Sequence, residues 1–257
     1  MGVIIGTVDS GIKRNHVSFR DDGVPPPPSH WKGVSGCNNK IIGIRDYTPT
    51  RGVNNGEDLE GHGTHVASLA SGNFVHDAHV MAMNNSFNGV HLAKQAGGIA
   101  AGTAPLSHLA IYKVEVDAHN KNSPRQIAKA IDDAVNDGVQ IINLSNGFMP
   151  DKQMDFYNDP IAISSYRACQ NGVLVVTAAG NEGPGDSTCS NGYPWVLTVG
   201  AGTIDRKIRT SIHFGDGQFI YGESISTFVG PSYMPVCYVT KGITFMEKLS
   251  CVNNTKL

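Results

Sequence analysis

The stretch Val3-Ile4-Ile5-Gly6-Thr7-Val8-Asp9-Ser10-Gly11 decides the fold class. Its first six residues are rich in β-branched side chains and apolar on both faces, the pattern of a short strand covered by helices on both sides. Similar runs occupy residues 40–44, 109–114, 139–144, 173–178 and 196–200. Five or six buried strands predict a parallel sheet, and the segments between them supply helices. In Ser123-Pro124-Arg125-Gln126, a capping serine precedes proline at the first helical position, with glutamine three residues after the cap. Ile127, Ala130, Ile131, Ala134 and Val135 then form one apolar stripe that stops at Gly138. Asp159-Pro160 opens a second helix that runs through Ile161, Ile163, Tyr166 and Cys169 to Asn171-Gly172. The expected fold is α/β: a parallel sheet with helices on both faces, wound in right-handed crossovers.

Composition agrees with a globular domain and excludes several functions. The 257 residues are 40% hydrophobic, enough for a sizeable core. Twenty Lys and Arg against 22 Asp and Glu give a net charge of −2, so nucleic acid and anionic membrane are not expected partners. No run approaches the roughly 18–20 apolar residues of a membrane helix, and the first residues lack the marks of a secretion signal. Five cysteines at wide spacing fit neither a dense disulfide scaffold nor a Cys-x-x-Cys zinc site. Pro25 to Pro28 reads as a polyproline II surface loop. After residue 214 only short alternating pieces remain, with Phe219 and Tyr221 in one and Val236 and Tyr238 in another. Residues 1–214 therefore read as one domain, and residues 215–257 as an incomplete β-rich tail.

Ligands of open α/β sheets bind beyond the carboxyl ends of the strands. Three polar residues are expected there. Asp9 ends the first strand, His62 opens a helical pattern in Gly61-His62-Gly63-Thr64-His65, and Asn181 follows the strand 173–178 in Ala178-Ala179-Gly180-Asn181-Glu182-Gly183. Singly, each is ordinary cap or turn chemistry. Together they are an acid, an imidazole and an amide donor, the set that activates a hydroxyl nucleophile and binds the oxyanion it generates.

These three motifs resemble the subtilisin-like serine proteases, with Asp before His in the chain. The similarity is closest to the plant cucumisin-type branch, through Pro25 to Pro28 with Ser29-His30-Trp31-Lys32-Gly33, Cys37-Asn38-Asn39-Lys40-Ile41-Ile42-Gly43, Ala104-Pro105-Leu106-Ser107-His108-Leu109-Ala110-Ile111-Tyr112-Lys113-Val114 and Pro194-Trp195-Val196-Leu197-Thr198-Val199-Gly200-Ala201. The resemblance implies that Asp9 orients the imidazole, His62 is general base and then acid, and Asn181 donates to the oxyanion. It places an extended peptide or protein substrate between residues 120–123, including Ser123, and Ser145-Asn146-Gly147, as an added strand. Ala178, Ala179 and Gly180 would line the pocket before the scissile bond. It also implies an extracellular, apoplastic location and no cofactor or metal.

Two departures shape the expectation. Plant relatives carry Ser-Leu-Gly-Gly where this chain has Ser145-Asn146-Gly147-Phe148, which alters the cleft floor. The family's nucleophile motif, Gly-Thr-Ser-Met, does not occur; Gly102-Thr103-Ala104 lacks the hydroxyl, and Gly230-Pro231-Ser232 lacks a following helix pattern. In subtilisin, loss of the serine costs about 2 × 10⁶ in turnover and loss of the oxyanion asparagine about 10²–10³. The chain is therefore expected to be inactive by itself, either an interior piece of a longer protease or the product of a damaged gene, with self-association through exposed core. The competing reading is a peptide-binding protein that does not cleave. Two other readings fail on their motifs. Gly6-Thr7-Val8-Asp9-Ser10-Gly11 lacks the Gly-Thr/Ser of actin-like phosphate loops, and His62 with His65 lacks the glutamate of a His-Glu-x-x-His zinc helix.

Overall fold

A computed structural model describes residues 2–49, 55–86, 89–115, 123–146, 154–203, 210–214 and 216–222. The chain divides into two compact units, one of Met1–His76 with Ile99–Thr203, the other of Asp77–Gly98 with Ile204–Leu257. The boundary read from the sequence at 214 falls inside the second unit.

In the first unit six strands form one parallel sheet: β1 (Ile4–Asp9), β2 (Ile41–Asp46), β5 (His108–Lys113), β6 (Ile141–Leu144), β7 (Leu174–Ala178) and β8 (Leu197–Val199). Their order is β2-β5-β1-β6-β7-β8, which puts β1 inside the sheet between two later strands. Ile4, Val8, Ala110, Tyr112, Ile142, Leu144 and Val175 share one buried cluster with residues of α2 (Ser123–Asp137) and α3 (Pro160–Gln170). Ile5, Leu109 and Ile111 cluster on the other face with Ala67 of α1 (His62–Ser71). Helices thus cover both faces, as the doubly apolar strands require.

The cover is uneven. Register pairs Ile5 with Ile141, Ile141 with Leu174, and Val176 with Leu197, so these side chains share the α1 face. There Leu174, Leu197 and Val199 are 47%, 52% and 49% exposed. This row of aliphatic side chains has no helix over it among the described residues.

Caps set the helix ends. Asp159 accepts the Ile161 N–H at 2.8 Å, with Pro160 at the first helical position. At the far end of α2, Gly138 adopts φ +96°, and a Cβ there would lie 2.9 Å from the His30 carbonyl oxygen. Asp137 receives a two-pronged bond from Arg45 (2.8 and 2.6 Å) and a third from the Tyr112 hydroxyl (3.0 Å), fastening β2 and β5 to α2. Lys40 is fully buried rather than part of β2. Its ammonium donates to Ser71 Oγ, the Pro105 carbonyl and the Ser107 carbonyl, and burial pushes its pKa down to about 8.

The second unit holds most of β3 (Val75–Ser86) and β4 (Gly89–Ala100), which pair into a two-stranded sheet that the sequence reading does not anticipate. It also holds β9 (Thr210–His213) and β10 (Phe219–Gly222), an antiparallel pair of which only β10 lies within the tail read as residues 215–257. Residues 223–257 lie outside the described residues.

Candidate active site

Asp9 stands at the carboxyl end of β1, 1% exposed. One carboxylate oxygen, Oδ1, accepts the Ser10 N–H at 2.7 Å and meets His62 Nδ1 at 2.8 Å. The other, Oδ2, is buried without a hydrogen-bond partner among the described residues. Burial pushes the Asp9 carboxyl above the usual carboxylate range, and the bonds from His62 and Ser10 pull against it. The His62 side chain is 47% exposed, so the ring spans from a buried acid to the surface. With Nδ1 committed to Asp9, Nε2 is left to take a proton from an incoming hydroxyl.

The position of His62 follows from how α1 begins. Gly61, at φ +97°, turns the chain into the helix and has no capping side chain of its own. Asp58, three residues earlier, supplies the cap. Its Oδ1 accepts Gly61 N–H at 2.8 Å, and its Oδ2 accepts Thr64 N–H at 2.8 Å and Thr64 Oγ1–H at 2.6 Å. These bonds outweigh burial and hold the Asp58 pKa down to about 2. Ser10 joins this network to Asp9: its hydroxyl donates to Asp58 Oδ1 at 2.9 Å and accepts Gly63 N–H at 2.9 Å. Gly63 has no room for a side chain, because a Cβ would lie 2.4 Å from the Gly11 carbonyl oxygen and 3.1 Å from Asp9 Oδ1. Sequence reasoning missed Asp58 and Ser10. The available signal was an acidic residue just ahead of a helix that starts on glycine and histidine, a pattern that needs a cap from elsewhere.

The remaining candidates lie along the same edge, because β1, β6 and β7 are adjacent and parallel. Ser145 and Asn146 follow β6. Asn146 is buried, donates weakly to the Val8 carbonyl at 3.4 Å, and leaves its Oδ1 unpartnered among the described residues. Ala179 and Gly180 follow Ala178 out of β7, with Gly180 at φ +96°. Asn191 ties the two strand ends together, donating from one amide to the Asn146 carbonyl (2.7 Å) and the Ala178 carbonyl (3.0 Å). Asn181 is exposed; its backbone N–H donates to Glu182 Oε2 at 2.8 Å, and its side chain makes no bond to Asp9 or His62. Ser123 begins α2. Gly147 and residues 120–122 lie outside the described residues. The structure therefore brings Asp9 and His62 into contact, while Ser145 and Asn146 follow β6 and Ala179 to Asn181 follow β7 at the same carboxyl edge of the sheet.

The profile described as "Subtilase family" matches residues 1–236. Among curated proteins, the chain is 43% identical over 232 residues to subtilisin-like protease SBT4.13 of Arabidopsis thaliana and 42% identical over 231 residues to subtilisin-like protease SBT4.12 of the same plant. Each alignment takes in 88% of this chain and 29% of the relative, so the chain spans under a third of their length. Among solved structures, the S41 psychrophilic protease superposes with a TM-score of 0.52 at 24% identity, covering 86% of this chain and 58% of that one. That likeness concerns the fold.

Proposed function

This chain belongs to the subtilase family of serine proteases, and we propose that it carries the acid–base half of that family's peptide-cleaving site. The observation that supports this reading is the 2.8 Å contact of a buried Asp9 with a half-exposed His62 at the carboxyl edge of a parallel sheet. In this reading Asp9 holds the ring and stabilises the imidazolium. His62 removes the proton from a serine hydroxyl and returns it to the leaving amine. Asn181 donates its side-chain amide to the oxyanion of the tetrahedral intermediate. An extended peptide lies as an added strand against Ser145-Asn146-Gly147 on one side and the start of α2, from Ser123, on the other. Ala178, Ala179 and Gly180 wall the pocket for the residue before the cut. The peptide or protein substrate is met outside the cell.

No Gly-Thr-Ser-Met stretch occurs in these 257 residues, so the base has no hydroxyl partner within them. The chain by itself binds extended peptides and does not hydrolyse them. Incubation with a fluorescent organophosphorus reagent, followed by mass spectrometry, tests this. The expected result is no stoichiometric label on any serine and no peptide turnover. Labelling of Ser10, Ser145 or Ser232, or turnover abolished by His62→Ala, would overturn it.

A further inference from the structure

Two loops carry the proposed peptide cleft, one leaving β6 through Ser145 and Asn146, the other leaving β7 through Ala179 and Gly180. The register of β6 on β7 runs only as far as Leu144 opposite Thr177, so past that pair the ladder no longer ties the loops together. A third segment takes over. Asn191 is 5% exposed, and its one side-chain amide donates to the Asn146 carbonyl at 2.7 Å and to the Ala178 carbonyl at 3.0 Å. Beside it, the Ser190 N–H donates to the Ala179 carbonyl at 2.7 Å. The segment is itself fastened to β8, where the Thr198 hydroxyl donates to the Asn191 carbonyl at 2.7 Å. Asn191 has φ +53°, a left-handed conformation that asparagine adopts more readily than most residues with a side chain.

We propose that Asn191 is a positioning residue for the peptide cleft: its amide sets the spacing between the two loops before any peptide arrives. This rests on the proposed peptide-binding role of those loops. Two carbonyl oxygens that converge on one point need a donor between them, and an acceptor left without one costs free energy. A side-chain amide supplies two donor hydrogens from a single nitrogen, whereas a hydroxyl supplies one and a carboxylate none. A cleft whose walls are already fixed loses less freedom on taking up an added strand than one whose walls must first be ordered. Among the described residues the Asn191 amide bonds to the two loops and not to Asp9 or His62, so it acts on peptide affinity and leaves the acid–base pair as it is.

The test is binding of end-blocked fluorescent hexapeptides to the full chain, first as an array and then by anisotropy titration of the tightest one. It is run well below the melting temperature of each protein, where a loss of stability alone leaves affinity unchanged. Glycine adopts a positive φ freely, so Asn191→Gly removes the amide without straining the turn, and it should weaken the peptide about tenfold. Asn191→Asp, which keeps the shape and replaces both donors with acceptors, gives the same reading where the glycine variant does not fold. Ser165→Ala is the control. It removes a buried hydroxyl that accepts the Trp195 Nε1–H at 3.0 Å on α3, so it should lower the melting temperature and leave affinity as it was. The inference is overturned if the folded Asn191 variant binds the peptide as tightly as the unaltered chain. If the unaltered chain binds no hexapeptide, the cleft reading fails and takes the inference with it. Should neither variant fold, hydrogen exchange of the Asn191 side-chain amide in the unaltered chain decides: slower exchange in the peptide complex supports the role, and equal exchange overturns it.

Discussion

Lys40 shows how one side chain can carry an architectural load that its sequence context hides. The sequence reading made it the first residue of a strand, whereas its ammonium sits in the interior among one hydroxyl and two carbonyl oxygens, with no carboxylate. Burial without a counter-charge disfavours the charged form, which is why the pKa falls from 10.5 to about 8. The unfolded chain therefore binds more protons than the folded one between those two values, and stability should rise as pH climbs from about 8 to 10.5. The full shift corresponds to about 3 kcal/mol. Urea midpoints measured across that window should increase, and Lys40→Met should flatten the increase. A falling or level profile in the unaltered chain would show that the ammonium is not desolvated as described.

At the scale of elements, the strands and helices were legible because the sheet is buried on both faces and two of the helices carry caps in sequence. The errors at their ends have one physical cause. Val139 and Val173 look like strand residues, but their N–H groups close the preceding helices, donating to the Ala134 and Ala168 carbonyls at 3.2 and 3.0 Å. β6 and β7 therefore begin later than their apolar runs do. The β3–β4 pair was illegible because its histidines and small residues alternate too weakly to mark a half-buried strand. Of the site, Asp9 and His62 were readable, since each sits where a periodic segment meets a loop. Asp58 and Ser10 were not, because their role depends on a contact 48 residues apart in sequence. The left-handed turn at Gly138 gives the prediction that belongs here. Gly138→Ala strains φ +96° and drives a methyl against the His30 carbonyl, so it should cost about 1–3 kcal/mol by denaturant unfolding. Gly23→Ala, also at positive φ but in open space, should cost less. Equal costs would mean that the contact with His30 adds nothing.

For the molecule as a whole, the uncovered row Leu174, Leu197 and Val199 should govern behaviour in solution. Contiguous apolar patches above roughly 300–600 Å² are uncommon on monomers and favour association. The full chain should bind a hydrophobic dye and sediment as a concentration-dependent mixture, and Leu197→Lys should reduce both by more than half. A monodisperse protein that ignores the dye would remove the self-association reading. The sheet order has a consequence of a different kind, one of time. Ile4 bonds to the side chain of Gln140, 136 residues further on, and both neighbours of β1 come from the second hundred residues. At a synthesis rate of about 5–20 residues per second, the strand that bears Asp9 waits roughly 7–27 seconds outside the ribosome before its second partner exists. Until β5 emerges both its edges are unpaired, and until β6 emerges one still is, so chaperone capture during translation should concentrate on this β-branched strand.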